Sequence, residues 1–271
     1  MRAIMKSEGS GNRKQRADLL SLPDCLAGAE AGAVPLWKRF LDLSLIAFTA
    51  PAWVPTMLGI GAAIKILSPG PVLFRQVRIG LGGKPFVCLK FRTMHAGTNT
   101  AAHEKHVAEL IQSNRPMTKL DGHDPRLIPL ARLLRSTGFD ELPQLLNIIR
   151  GEMSIVGPRP CTPKEYEAYS AEQRGRSGTL PGLTGLWQVN GKNDTTFREM
   201  VELDLHYVST MSFWLDLTII LRTPLVLLGQ VAEILPKKEA VGLSRNARFL
   251  DSIRQQVAPR DDSVRGQCSK E

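Results

Sequence analysis

Between Leu43 and Ile64 the chain carries no charged side chain, and this run, LSLIAFTAPAWVPTMLGIGAAI, is its longest apolar stretch. As a helix it would rise about 33 Å, enough to cross a hydrocarbon core of roughly 30 Å. Pro51 and Pro55 stand in its middle, and each removes a backbone donor and crowds the preceding turn. Lys38 and Arg39 precede the run and Lys65 follows it. Both ends are therefore basic, where a spanning helix normally shows a Lys/Arg imbalance. A break near Pro55 would leave two arms, each too short to span. The pattern predicts a re-entrant helix–break–helix over 34–67 that dips into one leaflet and returns on the same side. A single kinked span and a buried core helix are the competing readings.

Downstream the pattern changes. Val72–Phe74 and Phe86–Phe91 read as two short strands around Gly80-Leu-Gly-Gly83. Helices are predicted at Glu104–Asn114, Ile128–Thr137 (basic and amphipathic), Glu141–Arg150, Tyr166–Arg174 and Phe197–Met211. Phe213–Leu228 is apolar but interrupted by Asp216, Arg222 and Pro224. That suits a helix lying on a membrane surface, and an ordinary core helix fits as well. The expected fold class is α+β and mostly helical, with a small β element and amphipathic interfacial helices. The division expected is a flexible tail over 1–33, the membrane element over 34–67, a catalytic domain over 68–230 and a basic tail over 231–271.

Composition narrows the partners. Lys and Arg number 35 against 26 Asp and Glu, a net charge of +9, which points to phosphates, anionic lipid or nucleic acid. Three Tyr and nine Phe, placed mainly in apolar contexts, supply no stacking face, so nucleic acid is set aside. Cys25, Cys88, Cys161 and Cys268 show neither CxxC nor His-paired spacing and read as free thiols in a reducing compartment. P-loop, GxGxxG, GxSxG and HExxH motifs are absent.

The candidate chemistry sits in RSTGFDELPQLLN, residues 135–147. Asp140 follows a glycine and precedes a helix with Pro143 in its first turn, so it reads as an N-cap with Glu141 beside it. A cap with a first-turn Glu needs no function. Lys90 and Arg92 in KFRTM, Arg135, and Arg159 between two prolines add fixed cations, however. Adjacent carboxylates among cations suit Mg2+ and a phosphoryl group. The turn-rich PGLTGLWQVNG over 181–191, with Gln188, fits either a nucleotide or sugar pocket or a structural loop.

Together these motifs resemble the bacterial sugar transferases, the monotopic phosphoglycosyl transferases. The resemblance runs in order through Lys38-Arg39-Phe-Leu-Asp42, Pro69-Gly-Pro-Val-Leu-Phe-Arg-Gln76, Lys90-Phe-Arg-Thr-Met94, Asp140-Glu-Leu-Pro-Gln144, Asn147, Gly151-Glu-Met-Ser154, Val156-Gly-Pro-Arg-Pro160, Pro181-Gly-Leu-Thr-Gly185 and Gln188-Val-Asn-Gly191. It implies transfer of a sugar-1-phosphate, with a lean to glucose or galactose, from a UDP-sugar to undecaprenyl phosphate, with release of UMP. Asp140 would be the nucleophile, Glu141 with Asp140 the Mg2+ site, and Lys90, Arg92, Arg135 and Arg159 the phosphate ligands. The implied location is the cytoplasmic face of the bacterial inner membrane. The resemblance also supports the re-entrant hairpin, with one departure: where the family often has Ser-Pro, Val54 precedes Pro55 here. Downstream glycosyltransferases and a second copy of the chain stay open as partners. A catalytically dead scaffold would have lost Asp140 or Glu141, and both are present.

Overall fold

The computed structural model describes residues 32–95, 126–191 and 195–234. The helix expected over 104–114, and nearly all of both expected tails, lie outside them. The chain order is α1 (Leu36–Leu67), β1 (Leu73–Ile79), β2 (Pro85–Phe91), α2 (Ala131–Thr137), α3 (Gln144–Arg150), β3 (Ser154–Val156), α4 (Pro163–Glu167), α5 (Ala171–Arg174), β4 (Gly182–Thr184), α6 (Leu186–Val189), α7 (Phe197–Thr210) and α8 (Phe213–Ile234). The class is α+β and mostly helical, as expected.

β1 and β2 pair antiparallel from Leu73 opposite Phe91 to Ile79 opposite Pro85. The turn between them uses Gly82 and Gly83 in the left-handed region, where glycine avoids the Cβ clash. β3 and β4 form a parallel pair of three residues each, too short to announce itself by alternation. Their contact depends on bare backbone: a Cβ on Gly182 would lie 2.1 Å from the Gly157 nitrogen.

Several helix boundaries move for local reasons. α2 starts at Ala131 rather than Ile128, because Leu130 has φ 73 and Pro129 cannot donate to an earlier turn. The helix expected over 166–174 is two helices, each opened by its own capping box, Thr162 with Glu165 and Ser170 with Gln173. α7 keeps its expected place under a third box, Thr196 with Glu199.

α1 is helical through both prolines, with no interruption at Pro55. The Trp53 indole donates to the Ile46 carbonyl at 3.0 Å, two turns back on the same face of the helix. Pro51 and Pro55 lie roughly 140° and 180° around the helix from Ile46 and are exposed. Thr49 and Thr56 hydroxyls donate back to the Leu45 and Ala52 carbonyls, whereas the carbonyls freed by Pro51 and Pro55 are those of Ala47 and Pro51.

The Ile46 face of α1 meets the body at both ends. Ile46 joins a large core with Ile148, Val156, Trp187, Tyr207 and Ile219. Ile64 joins a smaller one with Phe91, Ile128, Ala131 and Leu134. Leu142 packs against both. The outer face is bare: Phe48 and Ile66 are each 83% exposed. α1 is long and apolar enough to cross a membrane.

The cations at the start of α1, Lys38 and Arg39, face inward. Lys38 is fully buried and donates to Asp216 at 2.5 Å, to the Tyr207 hydroxyl at 2.8 Å and to the Val156 carbonyl at 2.8 Å. Arg39 donates to the Ile148 and Ile149 carbonyls, at the end of α3 where a cation suits the exposed carbonyls. Asp42 accepts from the Ser154 hydroxyl and the Ile155 amide at 3.1 and 3.0 Å. α8 packs on the body along one face and is bare along another. Asp216 and Ile219 are buried, whereas Trp214, Leu221, Leu225 and Leu228 form an exposed apolar stripe.

Candidate active site

Asp140 and Glu141 occupy a 3-10 turn, Phe139–Glu141, between α2 and α3. Gly138 enters it at φ 73, and the Glu141 amide closes it on the Gly138 carbonyl at 3.0 Å. Asp140 does not cap α3; that position belongs to Pro143, with no side-chain cap. Pro143 has no N–H to extend α3 backward, so the backbone tightens into single turns closed by Leu142 on Phe139 and Leu145 on Leu142. Leu142 anchors this turn where the two cores meet. Both carboxylates stay half-buried at the surface.

Lys90 comes to the turn from β2. Its ammonium donates to Glu141 Oε1 at 2.8 Å. β2 is held in register with α3 by Asn147, which is fully buried. Asn147 accepts from the Leu89 amide at 3.0 Å, donates to the Val87 carbonyl at 2.7 Å and reaches Glu152 at 2.6 Å. Two of these bonds clamp the strand on either side of Cys88 and so place Lys90, while the third ties the amide to Glu152. Asn147 carried no assigned role in the sequence; a polar residue among Leu145, Leu146, Ile148 and Ile149 was the available signal.

The remaining cations are distributed differently. Arg135 lies half-buried in the last turn of α2, ahead of the carboxylate turn. Arg92 is buried, and its guanidinium bonds the Ser68 and Pro69 carbonyls, each at 2.8 Å, fastening the exit of α1. Burial lowers its pKa. Arg159 lies half-buried and lines a narrow crevice with Ile79, Gly80, Cys161, Arg176 and Thr179. Gln188 donates to the Leu183 carbonyl at 3.3 Å. Around it Leu186, Trp187 and Val189 are core residues, so the PGLTGLWQVNG segment has the contacts of a structural loop. The structure thus gathers Asp140, Glu141 and Lys90. It commits Arg92 and Gln188 to backbone carbonyls.

Cys88 and Cys161 are free and buried, and burial raises both thiol pKa values, Cys161 to about 11, leaving them inert. Among the described residues no three His, Cys, Asp or Glu gather as a metal cage. The donors at the turn are two adjacent carboxylates, a set that suits a hard divalent ion completed by water and phosphate oxygens.

Residues 34–230 match the model of a family described as bacterial sugar transferase. The chain is 43% identical over 199 residues to a UDP-glucose:undecaprenyl-phosphate glucose-1-phosphate transferase of Caulobacter vibrioides, covering 70% of this chain and 69% of that protein. It is 40% identical over 188 residues to the exopolysaccharide production protein ExoY of Sinorhizobium fredii, covering 69% and 83%. With the galactosyl transferase CpsE of Streptococcus agalactiae it shares 42% identity over 204 residues, 72% of this chain but 43% of that longer protein.

Proposed function

Because this chain belongs to the bacterial sugar transferase family, we propose that it moves a sugar-1-phosphate, glucose or galactose, from a UDP-sugar to undecaprenyl phosphate. This would be the priming step of exopolysaccharide or another surface glycan. The observation that carries the reading is the half-exposed Asp140–Glu141 turn with Lys90 bonded to it at 2.8 Å. A carboxylate oxygen of Asp140 attacks the sugar-bearing phosphorus, and the phosphoanhydride bond to UMP breaks as UMP leaves with the bonding pair. The lipid phosphate oxygen then attacks the same phosphorus. The aspartyl–phosphorus bond breaks, the sugar diphospholipid departs and Asp140 is again a free carboxylate.

Asp140 and Glu141 would hold Mg2+, which when bound offsets the negative charge of the diphosphate. Lys90 and Arg135 add positive charge where two anions must approach each other. Arg159 contributes a guanidinium fork suited to a phosphate.

Bacterial inner-membrane placement with the catalytic body on the cytoplasmic face, by way of a re-entrant α1, is part of the same proposal. Its supports are the exposed apolar outer face of α1 and the packing of both of its ends on one body. The exposed stripe of α8 would rest on the same leaflet.

The test is UMP release by purified protein given undecaprenyl phosphate and a panel of UDP-sugars. One sugar is expected to be turned over, and Asp140→Asn is expected to abolish release. Near-normal turnover by the Asn variant overturns Asp140 as nucleophile.

A further inference from the structure

Pro158-Arg159-Pro160 has an unusual anchoring problem. Neither proline carries an N–H, so Arg159 supplies the segment's one backbone donor. It is held by its carbonyls, three in a row from three directions. Pro158 accepts from the Gly182 amide at 2.9 Å, Arg159 from Arg176 at 3.1 Å and Pro160 from Arg78 at 3.0 Å.

The middle grip is the most elaborate. Arg176 is 3% exposed and Asp204, on α7, is fully buried. The Arg176 nitrogen that holds the Arg159 carbonyl also bonds the Asp204 carboxylate, while the other terminal nitrogen donates to the Tyr169 hydroxyl at 3.0 Å. The Arg159 amide in turn favours the charged form of Asp204. One buried ion pair therefore acts on both sides of a single residue's peptide. Burying such a pair is costly, and apolar residues of the same volume are often at least as stabilising. What the pair supplies, and an apolar replacement would not, is a fixed position for Arg159.

We propose that Arg176 and Asp204 are positioning residues for Arg159, holding the Pro-Arg-Pro backbone so that the guanidinium is pre-set for a phosphate of the nucleotide sugar. This rests on the reading of Arg159 as a phosphate ligand, and the experiment separates the two. Full-length enzyme is assayed for UMP release as Arg159→Ala, as Arg176→Met/Asp204→Leu, and as all three substitutions together.

The apolar double variant is expected to keep its unfolding temperature within a few degrees and to raise KM for the UDP-sugar about tenfold, as does Arg159→Ala. In the Arg159→Ala background the same two substitutions are expected to leave KM nearly unchanged, because what they position is gone. Equal multiplicative effects in both backgrounds mark a general structural role and overturn the proposal. So does an unchanged KM in the double variant while Arg159→Ala raises it. If Arg159→Ala alters neither KM nor kcat, the phosphate reading itself fails and the positioning role falls with it. Should the double variant not accumulate, Arg176→Lys enters the same cycle. It keeps the charge opposite Asp204 but lacks the fork that serves three acceptors, and the same KM outcomes decide.

Discussion

Lys90 donates to Glu141 at 2.8 Å while both side chains remain about a quarter to a third exposed. An ion pair this open to water contributes under about 1 kcal/mol to folding, so its place beside Asp140 matters more for chemistry than for stability. Lys90→Ala should shift the unfolding temperature by no more than a few degrees while lowering kcat/KM for UMP release by roughly 10- to 100-fold. Steady-state kinetics and a thermal melt on the same preparation check both halves. A large loss of stability with unchanged kinetics would reverse this assignment.

Glu141 has two calls on its carboxylate, the Lys90 ammonium and a divalent ion. Glu141→Gln keeps the size and removes the charge. It should lower turnover at least 100-fold and raise the Mg2+ concentration needed for half-maximal activity. Excess chelator should abolish UMP release by the unsubstituted enzyme and added Mg2+ should restore it. Full activity in chelator would refute the metal role.

Asn147 links the site to its scaffold. In Asn147→Ala the Leu89 amide and the Val87 carbonyl, both inside the fold, lose their partner, and each such group costs about 1–3 kcal/mol. The variant should melt markedly lower and lose activity together with stability. Asn147→Asp keeps an acceptor for Leu89 but sets a carboxylate against Glu152, which now accepts at 2.6 Å. It should be at least as damaging near neutral pH. Melts and UMP assays on the two variants distinguish loss of a donor from simple loss of volume.

The elements most legible in the sequence are those whose signal is local. The apolar run gave away α1 by length and composition, α7 lay where a helix over Phe197–Met211 was expected, and Asp140 and Glu141 stood out as adjacent carboxylates among cations. What escaped depends on partners far apart in the chain. Lys38 sits at the edge of an apolar run and looks like a flanking cation. Its counter-charge, Asp216, is 178 positions away and looks like a flaw in a second apolar helix. The β3–β4 pair and the Arg176–Asp204 pair leave no periodicity for the same reason. Arg92 sits in a motif beside Lys90, yet its side chain fastens the exit of α1, which no spacing rule distinguishes.

The packing of both ends of α1 on one body makes a topological prediction. If both ends lie on the cytoplasmic side, a cysteine introduced near Lys6 should resist a membrane-impermeant thiol reagent added to intact cells from the periplasmic side, and react once the membrane is opened. The comparison needs Cys25 and Cys268 replaced first, since their thiols would otherwise report as well. Labelling in intact cells would sink the re-entrant reading in favour of a span.

Lys38 and Asp216 form a buried pair whose members are 0% and 1% exposed, which gives a test of how α1 is fastened to the body. Lys38→Met leaves the Asp216 carboxylate buried against the Tyr207 hydroxyl with no cation, and breaking one side of such a pair costs roughly 3–5 kcal/mol. That variant should accumulate poorly or melt far below the unsubstituted enzyme. Adding Asp216→Leu removes the stranded charge, and the double variant should recover most of the loss. The double-mutant cycle on unfolding temperature in detergent reads this directly. Additive losses would mean that the two charges do not depend on each other, and that the remaining contacts of α1, through Arg39, Asp42, Ile46 and Ile64, are what hold it in place.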